Sequence, residues 1–273
     1  MDITVVIPSF NRYTFLKRAV SSVLEQTYSP SEIIIVDDGS SDETAQIQKD
    51  FPEIKYIYQE NKGVSSARNL GIQNSQYDWI AFLDSDDLFH LDKLQEQYQF
   101  HKSNPHILMS YTDEVWIRDN REVKIPKKFQ KIGKDPFKEN LAYCNIAPSS
   151  TLIHKQIFQK VGLFDESLEV CEDYDLWLRI ALKFDIALID KKLITKFAGH
   201  DDQLSFKHWG MDRFRVIALE KLLQTTKQHQ KIEIIIQELE KKYALLLEGA
   251  RKYGKIQSIS YYKGKLEQFK KRN

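Results

Sequence analysis

Apolar residues come in short blocks along the first hundred positions, and the blocks alternate between two spacings. Positions 3–8 form an apolar run closed by Pro8, the pattern of a buried strand. Positions 13–26 then place Phe15, Leu16, Val20, Val23 and Leu24 at helical spacing. Positions 32–36 (EIIIV) are almost wholly apolar, as expected of a strand covered on both faces of a parallel sheet. Asp37-Asp38-Gly39-Ser40-Ser41-Asp42 follows and offers capping side chains for a helix over 43–50. Positions 55–59 read as a third strand, 65–75 as a helix opened by the Gly63 loop, and 79–83 (WIAFL) as a fourth strand.

Strands that alternate with helices predict an α/β fold, a Rossmann-like and mostly parallel central sheet flanked by helices. Ligands bind such sheets at the carboxyl ends of the strands. Those ends carry Ser9, Asn11 and Arg12 after the first strand, Asp37 and Asp38 after the second, and Asp84 and Asp86 after the fourth. Three neighbouring strand ends thus converge on polar and acidic groups, which defines a site.

Beyond position 105 the pattern loosens. Positions 110–117 read as a strand and 124–138 as a basic loop, before a helix over 173–183 and a polar loop at 199–205. From Asp212 onward the chain reads as helical, with Ile232, Ile235, Leu239, Tyr243, Leu246 and Ala250 on one stripe. The division expected is a body of 1–210, made of halves 1–104 and 105–210, plus a basic helical extension of 211–273.

Composition changes this picture in one respect. The net charge of +1 conceals a body of −8 over 1–203 and a tail of +9 over 204–273. An acidic, metal-binding body and a tail that meets an anionic membrane surface would produce that split, and so would ordinary solvated helix faces. No run reaches the roughly 18 apolar residues of a membrane span. The first residues lack the basic start of a secretory signal, so the expected location is cytoplasmic, with peripheral contact at the inner membrane face through the extension. Two cysteines, Cys144 and Cys171, make neither a metal pair nor a disulfide framework. No nucleic-acid partner is expected.

The chemistry starts at Asp84-Ser85-Asp86, directly after a buried strand. Two carboxylates one residue apart can hold Mg²⁺ or Mn²⁺ together with phosphate oxygens, and a departing diphosphate needs such a cation. The Asp37-Asp38 pair can read a base or ribose, although a capped turn also explains Gly39 and Ser40. Arg68, on a helix entered from a loop whose backbone amides are free, suits phosphate. Trp177, Leu178 and Ile180 read as core, and Cys171 as a packed thiol.

Taken in order, these stretches resemble the family 2 glycosyltransferases of the GT-A fold. The resemblance rests on Val6-Ile7-Pro8-Ser9-Phe10-Asn11-Arg12, Val36-Asp37-Asp38-Gly39-Ser40, the run from Asn61 to Gly71, and Phe82-Leu83-Asp84-Ser85-Asp86-Asp87. It continues at Val161-Gly162-Leu163-Phe164-Asp165-Glu166 and at Glu172-Asp173-Tyr174-Asp175-Leu176-Trp177-Leu178-Arg179, and covers about 1–205. The resemblance implies an inverting, metal-dependent sugar transfer from a nucleotide-diphosphate donor, a UDP-sugar by preference, to a glycan or lipid-linked acceptor in cell-surface glycan assembly. By that resemblance Pro8, Ser9 and Phe10 line the base pocket, Asp38 bonds the base, and Arg12, Asp37 and Ser85 belong to the nucleotide-sugar site. Arg68 lies near the ribose-diphosphate, Asp84 by ribose and metal, and Asp86 is the principal metal ligand, joined by His200. The base that deprotonates the acceptor is Asp173, with Glu172 as the fallback; capping of the helix they open is compatible with both. The rivals are a non-catalytic nucleotide-sugar-binding module and a sugar-nucleotide pyrophosphorylase. The second lacks its glycine-rich loop here, as a dinucleotide oxidoreductase would lack G-x-G-x-x-G.

Overall fold

The computed structural model describes residues 1–197, 199 and 210–270. One sheet holds β1 (Ile3–Ser9), β2 (Glu32–Asp38), β3 (Lys55–Gln59), β4 (Trp79–Phe82) and β5 (Leu88–Phe89). It is completed by β6 (Met109–Arg118), β7 (Arg121–Val123), β8 (Thr151–His154) and β9 (Ile186–Phe197). The order is β3-β2-β1-β4-β8-β6-β9-β5, with β7 hairpinned onto β6. The first four strands pair in parallel, as their apolar runs predict. β8 then runs antiparallel to both β4 and β6, and β9 returns parallel to β6.

Alternation along β1 sorts its side chains between two layers. Ile3, Val5 and Ile7 meet Leu16, Ala19, Val20 and Val23 of α1 (Tyr13–Leu24). Val6 faces the other layer, where α3 (Val64–Asn74) lies so close that a Cβ on Gly71 would come within 2.3 Å of Val6 Cγ1. The segment expected as one helix over 43–50 is instead a 3₁₀ turn, Glu43–Gln46, followed by a single α-helical turn, α2 (Ile47–Asp50). Asp42 does cap it, accepting from the Thr44 amide at 3.0 Å.

Two elements were hidden by their polarity. α4 (Lys93–Ser103) buries Lys93, Gln97 and His101 beside Leu94, so its inward stripe is not apolar. β9 carries Asp190, Lys191 and Lys192 in mid-strand, next to a register shift in its pairing with β6 around Asp113. Under α4, the His101 Nδ1–H donates to the Ile107 carbonyl (3.0 Å), which leaves Nε2 to accept from the Ser110 hydroxyl at 2.9 Å. Gln97 joins Ser110 to Lys93 in the same network.

Burial pulls the His101 imidazole down to about 4. Unfolded histidine takes a proton near pH 6.5, so between pH 6.5 and 4 the unfolded chain binds a proton the folded one refuses. Stability therefore falls as pH drops through that window, by up to roughly 3 kcal/mol. Urea unfolding at steps from pH 7 to pH 4 should show a flatter profile for His101→Gln than for the unmodified protein. Parallel profiles would refute the assignment.

The second half adds α5 (Pro136–Ala142), α6 (Lys155–Val161), α7 (Glu172–Ala181), α8 (Asp212–Thr225), α9 (His229–Lys252) and α10 (Ile256–Lys270). Trp177 and Ile180 of α7 are buried against the sheet, as read from the sequence. The expected stripe on α9 is present: Ile235, Leu239, Tyr243 and Ala250 are buried, with Ile232 and Leu246 packed beside them. Its partners include Phe137 and Leu141 of α5 and Tyr174 and Leu178 of α7, so the extension shares a core with the body. Part of its positive charge is spent internally: Lys242 pairs with Asp212 and Glu238, Lys265 with Glu220, and Lys221 with Asp165. Among the described residues no helix is long and apolar enough to cross a membrane.

Candidate active site

A cleft of 460 Å³ opens at the carboxyl ends of β1, β2 and β4. After β1 the chain turns through Asn11 in the left-handed region (φ 51°). The Asn11 side chain accepts from the Ser41 amide at 2.7 Å, and the Asn11 backbone N–H donates to Ser40 Oγ at 2.8 Å. Asparagine tolerates that conformation and here ties the first strand end to the second. Pro8, Ser9, Phe10 and Arg12 are thereby presented to the cleft, with the Phe10 ring 46% exposed.

The two adjacent aspartates of β2 divide in role. Asp37 is buried beneath the cleft, accepting from the Ser40 amide at 2.9 Å and the Tyr56 hydroxyl at 2.5 Å. That is the capped-turn reading, and Asp37 does not line the cleft. Asp38 does line it. Its Oδ1 accepts from Gln59 Nε2 (2.6 Å) and the Lys62 amide (2.9 Å), and its Oδ2 from the Gly63 amide (2.8 Å). It therefore clamps the loop that enters α3.

Arg68, on α3, is 4% exposed and bridges two carboxylates: Nη2 to Asp84 and Nη1 to Glu172, each at 2.7 Å. Its guanidinium carbon lies 5.2 Å from the Phe164 ring centre. Asp84, Ser85, Asp86 and Asp87 follow β4 and all line the cleft. Asp86 pairs with Arg12 at 2.5 Å. Ser149 secures the turn, accepting from the Asp84 amide and donating to Asp87 Oδ2 at 2.6 Å. Burial pushes the Asp87 carboxyl well above the ordinary carboxylate range, against the pull of nearby Lys196. Among the described residues, the buried Ser9 Oγ, Ser65 Oγ and Arg68 Nε have no hydrogen-bond partner. Ser9 and Arg68 line the cleft, so polar capacity remains for a ligand.

At α7, Cys171 precedes the helix in the left-handed region (φ 65°), and Glu172 and Asp173 open it. Glu172 is buried; desolvation and the neighbouring Asp173 lift its carboxyl to about 7 although Arg68 holds it down. Asp173 is partly buried. Its Oδ1 accepts from the Tyr174 amide at 2.6 Å, and the Cys144 thiol donates to Oδ2 at 3.4 Å. It lies outside the cleft lining, one residue beyond the Arg68–Glu172 bridge. Burial pushes the Cys171 thiol up to about 12, consistent with a packed, unreactive cysteine. His200 lies outside the described residues.

Lys196, near the end of β9, was not foreseen. It lines the cleft together with Asp84 and Asp87. Glu114, Asp87, Asp84 and Asp173, in falling order of influence, raise its ammonium above the usual lysine value despite burial. The only hint of it in the sequence is the end of an alternating run, Leu193-Ile194-Thr195-Lys196-Phe197.

The donor set around Asp84 and Asp86 fits a hard divalent cation that also takes diphosphate oxygens. Both carboxylates reach the cleft, and their side chains are 27% and 15% exposed. No cluster of three or more His, Cys, Asp or Glu side chains is close enough to hold a metal among the described residues, so a cation there needs ligand oxygens. A larger cavity of 690 Å³, lined by Gly210, Leu245, Leu246, Tyr253 and Tyr262 among others, is mainly apolar and lies away from the strand ends.

The fold is that of the GT-A glycosyltransferases, and the acidic strand ends stand where such a sheet binds its ligand. Residues 4–162 match the model of glycosyl transferase family 2, and the chain belongs to that family. An uncharacterized glycosyltransferase of Rickettsia conorii is 38% identical over 194 residues, which is 70% of this chain and 32% of that protein. One from Rickettsia typhi is 32% identical over 207 residues, covering 74% of this chain and 65% of that one. The chain thus spans about a third of the length of the first relative. Staphylococcus aureus TarS 1–349, solved with UDP-GlcNAc, superimposes with a TM-score of 0.69 at 17% identity, covering 100% of this chain and 93% of that one. At that identity the likeness concerns the fold.

Proposed function

We propose that this chain transfers a sugar, with inversion, from a nucleoside-diphosphate donor to an acceptor hydroxyl. The observation that carries the reading is the single cleft in which Asp38, Arg68, Asp84 and Asp86 meet at the carboxyl ends of parallel strands. The base lies at the Phe10 and Asp38 end, with the diphosphate running past Arg68 toward Asp84. Asp86 and Asp84 would hold Mg²⁺ or Mn²⁺, which when bound neutralises the charge of the departing diphosphate. For this, the Arg12 guanidinium must share Asp86 or turn to phosphate. Asp173 takes the acceptor proton as the hydroxyl attacks, with Glu172 kept in place by Arg68. The UDP-GlcNAc complex of TarS supports trying uridine donors first.

A thermal-shift panel of UDP-, GDP-, CMP- and dTDP-sugars, each with and without Mn²⁺, tests the donor. Stabilisation reaches about 2.7 kcal/mol at a hundredfold excess over Kd. The expected ranking has a UDP-sugar first, with a further increase on adding Mn²⁺ that Asp86→Ala abolishes. If no nucleotide sugar shifts the melting temperature under either condition, the reading fails. Mn²⁺-dependent hydrolysis of the bound donor would separate an enzyme from a binding module.

A further inference from the structure

We propose that Lys196 is the residue that binds the sugar-bearing phosphate of the donor and receives its charge as the sugar leaves. The inference rests on the donor reading above and adds a residue to it.

Position along the cleft comes first. Phe10, Arg12 and Asp38 lie at the ends of β1 and β2, and Arg68 reaches Asp84 and Glu172 in the middle. Lys196 enters the same cleft from β9, within electrostatic reach of Asp84 and Asp87 of the 84–87 turn. In the β6–β9 ladder it is the partner of Trp116, while Glu114 pairs with Ile194 two positions earlier, so Lys196 and Glu114 stand on one face. Lys196 lies within electrostatic reach of Asp84, Asp87 and Asp173, the proposed base. A donor whose base is at Phe10 therefore brings its second phosphate, and not its first, to Lys196.

Charge comes second. Arg12 and Arg68 each already hold a carboxylate in direct contact, with Arg68 holding two. The carboxylate that acts most strongly on Lys196 is satisfied elsewhere: Glu114 accepts from Lys131 and from Trp116 Nε1. Among the described residues, Lys196 is thus a cation in acidic surroundings with no carboxylate in direct contact. An ammonium in that setting is a point charge suited to a phosphate oxygen. In the transfer, the acceptor oxygen bonds to the anomeric carbon and its proton passes to Asp173. The bond from that carbon to the phosphate oxygen breaks, and its electron pair stays on the oxygen facing Lys196.

Calorimetric titration of the full chain with UDP and with UMP, with Mn²⁺ present and absent, tests this. Lys196→Met is expected to weaken UDP at least tenfold and UMP less than threefold, collapsing the preference for the diphosphate. Lys196→Arg is expected to restore most of that preference. Equal weakening of UDP and UMP would show a merely structural role and overturn the proposal, as would unchanged UDP binding. If Lys196→Met does not fold, Lys196→Gln replaces it, and the UDP-to-UMP ratio against Lys196→Arg decides. Failure of the unmodified protein to bind either nucleotide would instead remove the donor reading itself.

Discussion

Replacing Arg68 by methionine is expected to destabilise the protein by roughly 3–5 kcal/mol at pH 8, the usual cost of stripping one partner from a buried ion pair. The guanidinium is 4% exposed and joins α3 to the β4 end through Asp84 and to α7 through Glu172. Its removal leaves Glu172 buried beside Asp173 with no cation in contact. Protonation offers a partial escape, and that sets the pH dependence. Glu172 stands at about 7 even with Arg68 in place, well above its unfolded value near 4.3, so its ionisation already costs stability as pH rises through 7. Without the arginine, the carboxyl holds its proton to higher pH, and the deficit relative to the unmodified protein grows above pH 7. Urea unfolding at pH 6 and pH 8 should show the larger gap at pH 8, and adding Glu172→Gln should recover part of it. A deficit below about 1 kcal/mol at pH 8 would mean the bridge contributes no more than a surface pair.

Asp173→Asn is expected to cut turnover by roughly 10²–10⁴-fold, the range for loss of a positioned general base. Donor affinity should stay within about twofold, because Asp173 lies outside the donor cleft lining. Asparagine has nearly the same shape and can still accept from the Tyr174 amide through its carbonyl oxygen, so the start of α7 should survive. Steady-state turnover together with UDP-sugar titration of the same preparation measures both quantities. Full turnover in the variant would move the base to Glu172. A pH–rate profile with its acid limb near 7 would support that shift, since Glu172 stands at about 7.

Much of this fold was legible because parallel strands buried on both faces advertise themselves as apolar runs, and β1, β2 and β4 do so plainly. The turns between them were legible for a different reason: Asn11, Asp37, Asp42 and Gly63 are residues that particular backbone shapes require. α4 escaped because its buried face is built from Lys93, Gln97 and His101, which Ser110 and the Ile107 carbonyl help to satisfy, in place of an apolar stripe. β9 escaped because the register shift near Asp113 breaks its alternation. At the site, adjacency in sequence misled at Asp37 and Asp38. Neighbours on a strand face opposite sides, so one aspartate faces the cleft while the other is sealed under it. Lys196 was out of reach, since a lone lysine acquires meaning only when a distant strand is laid beside the acidic turn. The same holds for Ser149, whose hydroxyl joins Asp84 to Asp87.

The shared core of α5, α7 and the last three helices has a consequence for how the protein can vary. α7 carries Glu172 and Asp173 on its first turn and stands on Leu219, Leu239 and Tyr243 through Tyr174 and Leu178. Side chains about 45 to 70 positions downstream thus form the footing of the reacting end. A change of volume at Leu239 would tilt that footing and move Asp173 relative to the donor without touching any ligand. Evolution could adjust the angle at which an acceptor is met by working only on the tail.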